Sequence, residues 1–383
     1  MLKEINTSPI YTKDNSLLNL NCDKPEYYDI INLVRSLKKQ LPYMDCDEAV
    51  IVLRAIKDLE SKIDTKIKFK ILPHVKEEIK SLTNNQLGKY IYYRYRYDIF
   101  PKTYELGEYP PVVQIEPTSI CNYRCVFCFQ TDKNLTNKKN GHMGQMGIDL
   151  FQDIIDEING KVHSITMASR GEPLINKNIG KMLMYMKNKF VAVKLNTNAS
   201  LLNEDLCRDI LNSDIHTLVF SADAAKDPLY STMRVNGNLN QILNNIKLFN
   251  KIKSTEYPRN KIITRVSGVK YNEQQNIKEM NDFWGDYVNQ VTFVSYNPWE
   301  NTYKRPVNTI DKACSDLWRR LFIWWDGKCN PCDVDYLSNL KIGQLPSESI
   351  KQIWTGEAYS ILRDMHVNQK RNKIFPCNRC TQI

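Results

Sequence analysis

The sequence predicts an α/β fold built on a mostly parallel sheet, preceded by a helical region and followed by a small cysteine-rich domain. Three observations carry this. Between Pro110–Pro111 and about residue 310, six short apolar runs alternate with helical patterns, as expected of parallel strands joined by covering helices. Before residue 110, apolar residues recur at three- and four-residue spacing, the period of an amphipathic helix. After about 310 the pattern breaks and cysteines crowd together. The boundaries so drawn are 1–109, 110–309 and 310–383.

In chain order, KPEYYDIINLVRSLKKQ (24–40) and CDEAVIVLRAIKDLESKI (46–63) predict helices, and Pro73 fits the start of another. QLGKYIYYRYRYDIF (86–100) interleaves five tyrosines with Lys89, Arg94 and Arg96. Stacking plus charge suits single-stranded nucleic acid, but a helix packing its tyrosines on the main domain is the simpler expectation. The six strands are expected at 112–116, 163–168, 190–196, 215–221, 261–267 and 290–295. Helices are expected near 148–158, 175–188, 203–212, 238–252 and 273–284. Either an open sheet or a partial barrel satisfies this order, and both gather ligands at the C-terminal strand ends. A tail of about 70 residues rarely stabilises itself by burial alone, and a bound metal centre is the usual remedy.

The chain has 383 residues, enough for two or three units. No apolar run approaches the ~18–20 residues of a membrane span, and MLKEINTSPIYTKDNS lacks the apolar stretch of a signal peptide. A cytoplasmic protein without a membrane partner is expected. The formal net charge of +10 admits a polynucleotide or an anionic small ligand; the lysines are spread along the chain and are read mainly as solvated surface. Eleven cysteines in a reducing compartment point to metal or chemistry rather than disulfides. Cys22, Cys46 and Cys207 are scattered and read as free thiols.

EPTSICNYRCVFCFQ (116–130) follows the first strand and spaces its cysteines Cys121-x3-Cys125-x2-Cys128. Thiolates select zinc, copper(I) or iron–sulfur. A closed zinc site needs a fourth ligand, for which only His142 lies near. Three thiolates leave one iron of a 4Fe–4S cluster open to an outside molecule. This spacing, with Phe127 before the third cysteine and a six-strand β/α run after it, resembles the radical S-adenosylmethionine (SAM) superfamily. The resemblance implies a partial (β/α)6 barrel and a 4Fe–4S cluster chelated by SAM. It implies reductive SAM cleavage to a 5′-deoxyadenosyl radical, with an electron donor such as flavodoxin or ferredoxin. Gly171-Glu172-Pro173 resembles the family's motif at the SAM amino group. Asn196 and Asn198 end strand three, and Ser221 ends strand four, where matching positions meet ribose or carboxylate. Arg234 resembles an arginine that pairs the SAM carboxylate, and Phe127, Val266 and Val294 are candidates to flank adenine.

The tail holds Cys314, Cys329, Cys332, Cys377 and Cys380. The segment C…DGKCNPC…IGQL…SIKQIWTG…LR…CNRC resembles the SPASM or shortened twitch extension of many radical SAM proteins, which holds auxiliary clusters. Its resemblance assigns Cys314, Cys332, Cys377 and Cys380 to one auxiliary 4Fe–4S cluster. Cys329 is then free, a substitute ligand or a hydrogen donor. A zinc ribbon from Cys329, Cys332, Cys377 and Cys380 is the competing arrangement, and it strands Cys314. With one auxiliary cluster and no peptide-recognition domain apparent, the expected reaction is oxidation of a small polar substrate such as a carbohydrate or cyclitol. The alternatives are epimerisation with a thiol hydrogen donor, modification of a peptide, or, most distantly, a zinc-binding nucleic-acid protein.

Overall fold

The computed structural model describes residues 17–18, 27–63, 65 and 67–383. Cys22, the polar N-terminal stretch and the start of the helix expected at 24–40 lie outside the described residues. The six expected strands form: β1 (Val112–Ile115), β2 (Ser164–Met167), β3 (Ala192–Thr197), β4 (Ile215–Ser221), β5 (Ile263–Lys270) and β6 (Gln290–Ser295). Each pairs in parallel with the next, so the spatial order is the sequence order. The covering helices are α5 (Ile148–Ile158), α6 (Ile179–Tyr185), α7 (Glu204–Asn212), α8 (Leu239–Glu256) and α9 (Ile277–Gly285). An order without reversal and with right-handed crossovers puts every helix on one face. The other face curls inward as a partial barrel, which decides between the two architectures left open by periodicity.

The strands alternate accordingly. Ile165, Met167, Val193, Leu195, Leu218, Phe220, Val266 and Phe293 face outward into one apolar core with Phe151, Met182, Ile210, Phe249 and Trp284. The intervening Thr166, Lys194, Asn196, Thr217 and Arg265 line a cavity of about 450 Å³ inside the barrel. A period of two therefore makes an apolar outside and a polar lumen. Val266 belongs to the outer core, between Arg265 and Ser267, so it does not flank a ligand in the lumen; Val294 lines the cavity.

The strands of the tail are not legible locally. β7 (Arg320–Ile323) pairs in parallel with β1, then turns back through β8 (Lys328–Asn330) and β9 (Gly343–Gln344). The cysteine-rich tail thus extends the barrel sheet at its β1 edge. Two further helices, α10 (Ile350–Thr355) and α11 (Glu357–Val367), follow.

Among the described residues, α1 (Tyr27–Gln40), α2 (Cys46–Glu60), α3 (Pro73–Ser81) and α4 (Asn84–Thr103) precede the sheet. The α4 tyrosines share a core with Val112, Val191 and Ala192 at the strand starts, so these helices close the floor of the barrel. Tyr90, Tyr93, Tyr95, Arg94 and Arg96 are buried. The Arg94 guanidinium lies over the Tyr97 ring and that of Arg96 over Tyr92. The Tyr/Arg stretch is committed to internal packing, which removes the nucleic-acid reading of it. Among the described residues no helix is long and apolar enough to cross a membrane.

Candidate active site

The loop bearing Cys121, Cys125 and Cys128 leaves the C-terminal end of β1. It is held on three sides. Arg124–Cys125 forms a short antiparallel ladder with Arg234–Val235, Cys125 opposite Arg234. Asn122 donates to Ser200 Oγ at 2.9 Å and accepts from Asn198 Nδ2 at 2.9 Å, which ties the loop to the end of β3. Gln130 Nε2 donates to Ser119 O at 2.7 Å and to the Arg170 carbonyl.

Gly171 backs directly onto this loop. A Cβ there would lie 2.5 Å from the Ile120 carbonyl oxygen and closer still to that of Thr118. The close approach that only glycine allows is therefore made by the cysteine loop itself. Glu172 turns inward at 3% exposure. Its carboxylate accepts from Thr197 Oγ1 at 2.6 Å, Asn198 N at 2.7 Å and Leu174 N at 3.2 Å. Pro173 opens the short helical turn 173–175 that Glu172 caps. Arg234 is likewise engaged: its Nε donates to Asp223, and its Nη1 lies 3.7 Å from Cys125 Sγ. Both charges have protein partners: Arg234 meets the loop at Cys125, and the Glu172 carboxylate meets the end of β3. Phe127 is 5% exposed, with the Arg234 guanidinium 5.8 Å from its ring centroid.

The fit to an iron–sulfur cluster with a chelated ligand rests on donors and orphan groups. Burial, then the Glu172 charge, pushes the Cys121 thiol up to about 12. Burial also raises Cys125 and Cys128, Arg234 opposing it at Cys125, and the three thiols sense one another. To serve as thiolate ligands these thiols would need a cation to share, which an iron core would supply. N–H donors already aim at sulfur: Tyr123 N at 3.4 Å from Cys121 Sγ, and Arg234 Nη1 at Cys125, the hydrogen bonds that tune such clusters. At the strand ends Asn196 Oδ1 and Ser169 Oγ are buried without a partner. Asn196 faces the lumen, and Ser221 is half-buried at the end of β4.

In the tail, burial raises the Cys332 thiol, and its neighbours Asp335, Cys377, Cys314 and Cys380 raise it further. Those four cysteines are brought together. Cys329 is not among them. It is 0% exposed in the outer core, its thiol donating to Gly327 O at 3.7 Å, and its charged neighbours are Glu348, Glu157, Lys341 and Asp326. A ribbon using Cys329 is therefore ruled out by placement, as is a donor thiol beside the auxiliary site. His142 senses Arg170 and Lys328, and no thiol. Among the described residues no three His, Cys, Asp or Glu side chains converge on a single metal ion.

Two supports escaped the sequence reading. Arg371, 1% exposed, spans the carbonyls of Cys377 (3.3 Å), Cys380 (2.9 Å) and Lys312 (3.3 Å). The apolar cluster of Phe129, Leu135 and Tyr336, with Cys128, Trp299 and Tyr303 against it, packs the first cysteine site against Tyr336 of the tail. Nothing local marks either.

A barrel with a three-thiol loop at its mouth and a four-thiol tail on its edge presents two thiol sets of the kind that hold iron–sulfur clusters. Residues 115–280 match the radical SAM superfamily and residues 314–381 match the SPASM iron-sulfur cluster-binding domain. The chain contains a radical SAM domain and a SPASM domain, which together imply a SAM-binding 4Fe–4S cluster and auxiliary clusters. An uncharacterized protein of Methanocaldococcus jannaschii is 26% identical over 195 residues, covering 50% of this chain and 60% of the relative. The tungsten-containing aldehyde ferredoxin oxidoreductase cofactor-modifying protein of Pyrococcus furiosus is 27% identical over 111 residues, 28% of this chain and 30% of the relative. The chain thus spans less than two thirds of these curated relatives. SuiB of Streptococcus suis, solved with the precursor peptide SuiA, is similar in fold: TM-score 0.55, 15% identity, covering 94% of this chain and 88% of that one.

Proposed function

We propose that the protein dehydrogenates a small polar substrate, such as a carbohydrate or cyclitol, held in the barrel lumen. In this reading Cys121, Cys125 and Cys128 hold the SAM-binding cluster, and Cys314, Cys332, Cys377 and Cys380 hold one auxiliary cluster. When bound, these groups supply a radical that removes a substrate hydrogen atom and an acceptor for the second electron. Asn196, Asn198 and Ser221 bind polar groups at the strand ends. Glu172 and Arg234 are positioning residues that fix the cysteine loop, and Gly171, Pro173 and Phe127 shape the walls. Flavodoxin or ferredoxin is the proposed reductant.

The observation that carries oxidation over epimerisation is the placement of Cys329. Its thiol is sealed in the outer core, and among the described residues no cysteine lines the lumen cavity. An epimerase of this kind needs a thiol facing the substrate radical to return hydrogen. The cavity of about 450 Å³ also lies in the range of small-molecule sites.

The test begins with anaerobic holoenzyme and dithionite, screening sugars, cyclitols and short peptides for substrate-dependent 5′-deoxyadenosine. The reaction of the best substrate is then run in deuterium oxide. Oxidation yields a product lacking two hydrogens, without solvent deuterium at the reacting carbon. A deuterated product of unchanged oxidation level overturns the reading. Turnover confined to peptides overturns the substrate class.

A further inference from the structure

The lumen carries more positive charge than its own carboxylates balance. Lys194, Arg94, Arg265, Arg319 and Arg320 line the cavity, against Glu78 and Asp98. Both carboxylates are already taken: Arg265 Nη2 lies 3.3 Å from Glu78 Oε1, and Arg94 Nη2 lies 2.9 Å from Asp98 Oδ2. Part of the net charge of +10 is therefore concentrated inside the barrel rather than solvated on the surface.

Lys194 is the residue left over. Among the described residues it has no hydrogen bond or ion pair, although its strand neighbours in register are the short polar Thr166 and Thr217. Burial, then repulsion from Arg265, lowers its ammonium pKa to about 8, with Glu78 opposing and Arg320 adding to the fall. Beside it, Arg320 Nε and Arg94 Nε are buried donors without acceptors. The other donors of Arg320 are used, by Gln114 Oε1 at 3.0 Å and Tyr97 OH at 2.6 Å. A half-buried cation facing other cations is costly unless an anion joins it, and the cavity leaves room for one.

We propose that the substrate carries an oxyanion, a phosphate or a carboxylate, which Lys194 binds within the lumen with Arg265 and Arg320 flanking it. This deepens the proposed function and rests on the lumen being the substrate chamber. The geometry fits that use. Lys194 lies two residues along β3 from Asn196, roughly 7 Å deeper in the barrel. An anion held at Lys194 leaves the body of a small substrate at the level of Asn196, at the end where the cysteine loop sits.

The experiment measures binding, not turnover. Anaerobic holoprotein in chloride-free buffer is titrated calorimetrically with inorganic phosphate and, separately, with succinate. Wild type binds one of the two, phosphate indicating a phosphorylated substrate and succinate a carboxylated one. Lys194→Met weakens that binding about tenfold or more, the loss expected for a charge-assisted hydrogen bond, and Lys194→Arg retains part of it. Without added anion, Lys194→Met melts at or above the wild-type temperature, because it removes an unpaired charge from a lumen already rich in cations. Equal binding by wild type and Lys194→Met overturns the proposal, as does the absence of binding to either probe in wild type. The same preparations are assayed for dithionite-driven 5′-deoxyadenosine. Failure to bind anions with that activity intact removes the anion site alone, whereas wild type that forms no 5′-deoxyadenosine strikes the proposed function instead.

Discussion

Arg170 grips Glu116 in a buried two-pronged ion pair, Nη2 at 2.6 Å from Oε1 and Nε at 2.7 Å from Oε2. Three segments meet there. Glu116 follows β1 and also accepts from the Arg170 and Trp325 backbone N–H groups. The third prong of Arg170 donates to Tyr336 O at 2.9 Å, and its guanidinium lies 4.4 Å from the Trp324 ring centroid. The pair therefore joins the cysteine loop, the Gly171-Glu172-Pro173 turn and the SPASM tail. Arg170→Met strands the Glu116 charge and should cost about 3–5 kcal/mol in urea unfolding of the holoprotein. Adding Glu116→Gln should recover part of that loss, since the two residues share one interaction. A single-mutant cost below ~1 kcal/mol would discount the pair as a structural hub.

Gly171→Ala should act on the first cluster and spare the second. The added methyl meets the Thr118 and Ile120 carbonyls, which are backbone and have little room to yield. The cysteine loop must shift, while the tail cysteines and Arg371 are untouched. Iron analysis after anaerobic reconstitution should show about half the wild-type iron, and SAM binding by equilibrium dialysis should weaken with it. Full iron and unchanged SAM affinity would show that the loop tolerates the methyl.

The two thiol sets make a separable prediction. Wild type should hold about eight iron per chain, and replacement of Cys121, Cys125 and Cys128 by alanine should leave about four, as expected for two 4Fe–4S clusters. Cys329→Ala should keep all the iron and the activity, at a modest stability cost for a buried thiol. Iron loss in Cys329→Ala would return that residue to the ligand set.

The strands, their covering helices and the close spacing of Cys121, Cys125 and Cys128 are legible in the sequence because each is a local pattern: period two, period 3.6, or fixed spacing. β7 was not. RLFI looks like a strand, but its partner β1 lies 208 residues earlier (Arg320 against Val112), and no local pattern encodes such a distance. The partners of Glu172 and Arg234 are hidden for the same reason: the motif identifies the charge, whereas Thr197 and Asp223, which meet it, are set by the fold. Two signals were present and unused. Arg265 and Ser267 around Val266 already placed that valine on the outer face, and a lysine inside VAVKLN already marked an unusual strand.

The floor of the barrel should make folding sensitive to acid. His74 borders the lumen, its Nδ1 buried without a partner. Burial, reinforced by Arg94, lowers its pKa to about 3; burial also lowers His216. In the unfolded chain a histidine takes its proton near pH 6.5, so between those values the unfolded state binds more protons than the folded one. The stabilisation is fully present above about 6.5 and is lost as pH falls toward about 3, by ~1.4 kcal/mol per unit for His74. From pH 6.5 to 5 that amounts to about 2 kcal/mol. His74→Gln removes this contribution and keeps a polar side chain of similar size. Urea unfolding of both proteins at pH 7 and pH 5 isolates it, because the carboxylates titrate alike in each. The variant should lose about 2 kcal/mol less than wild type on acidification. Equal losses would mean that His74 gains its proton in the folded protein, and that the barrel floor is wetter than its packing indicates.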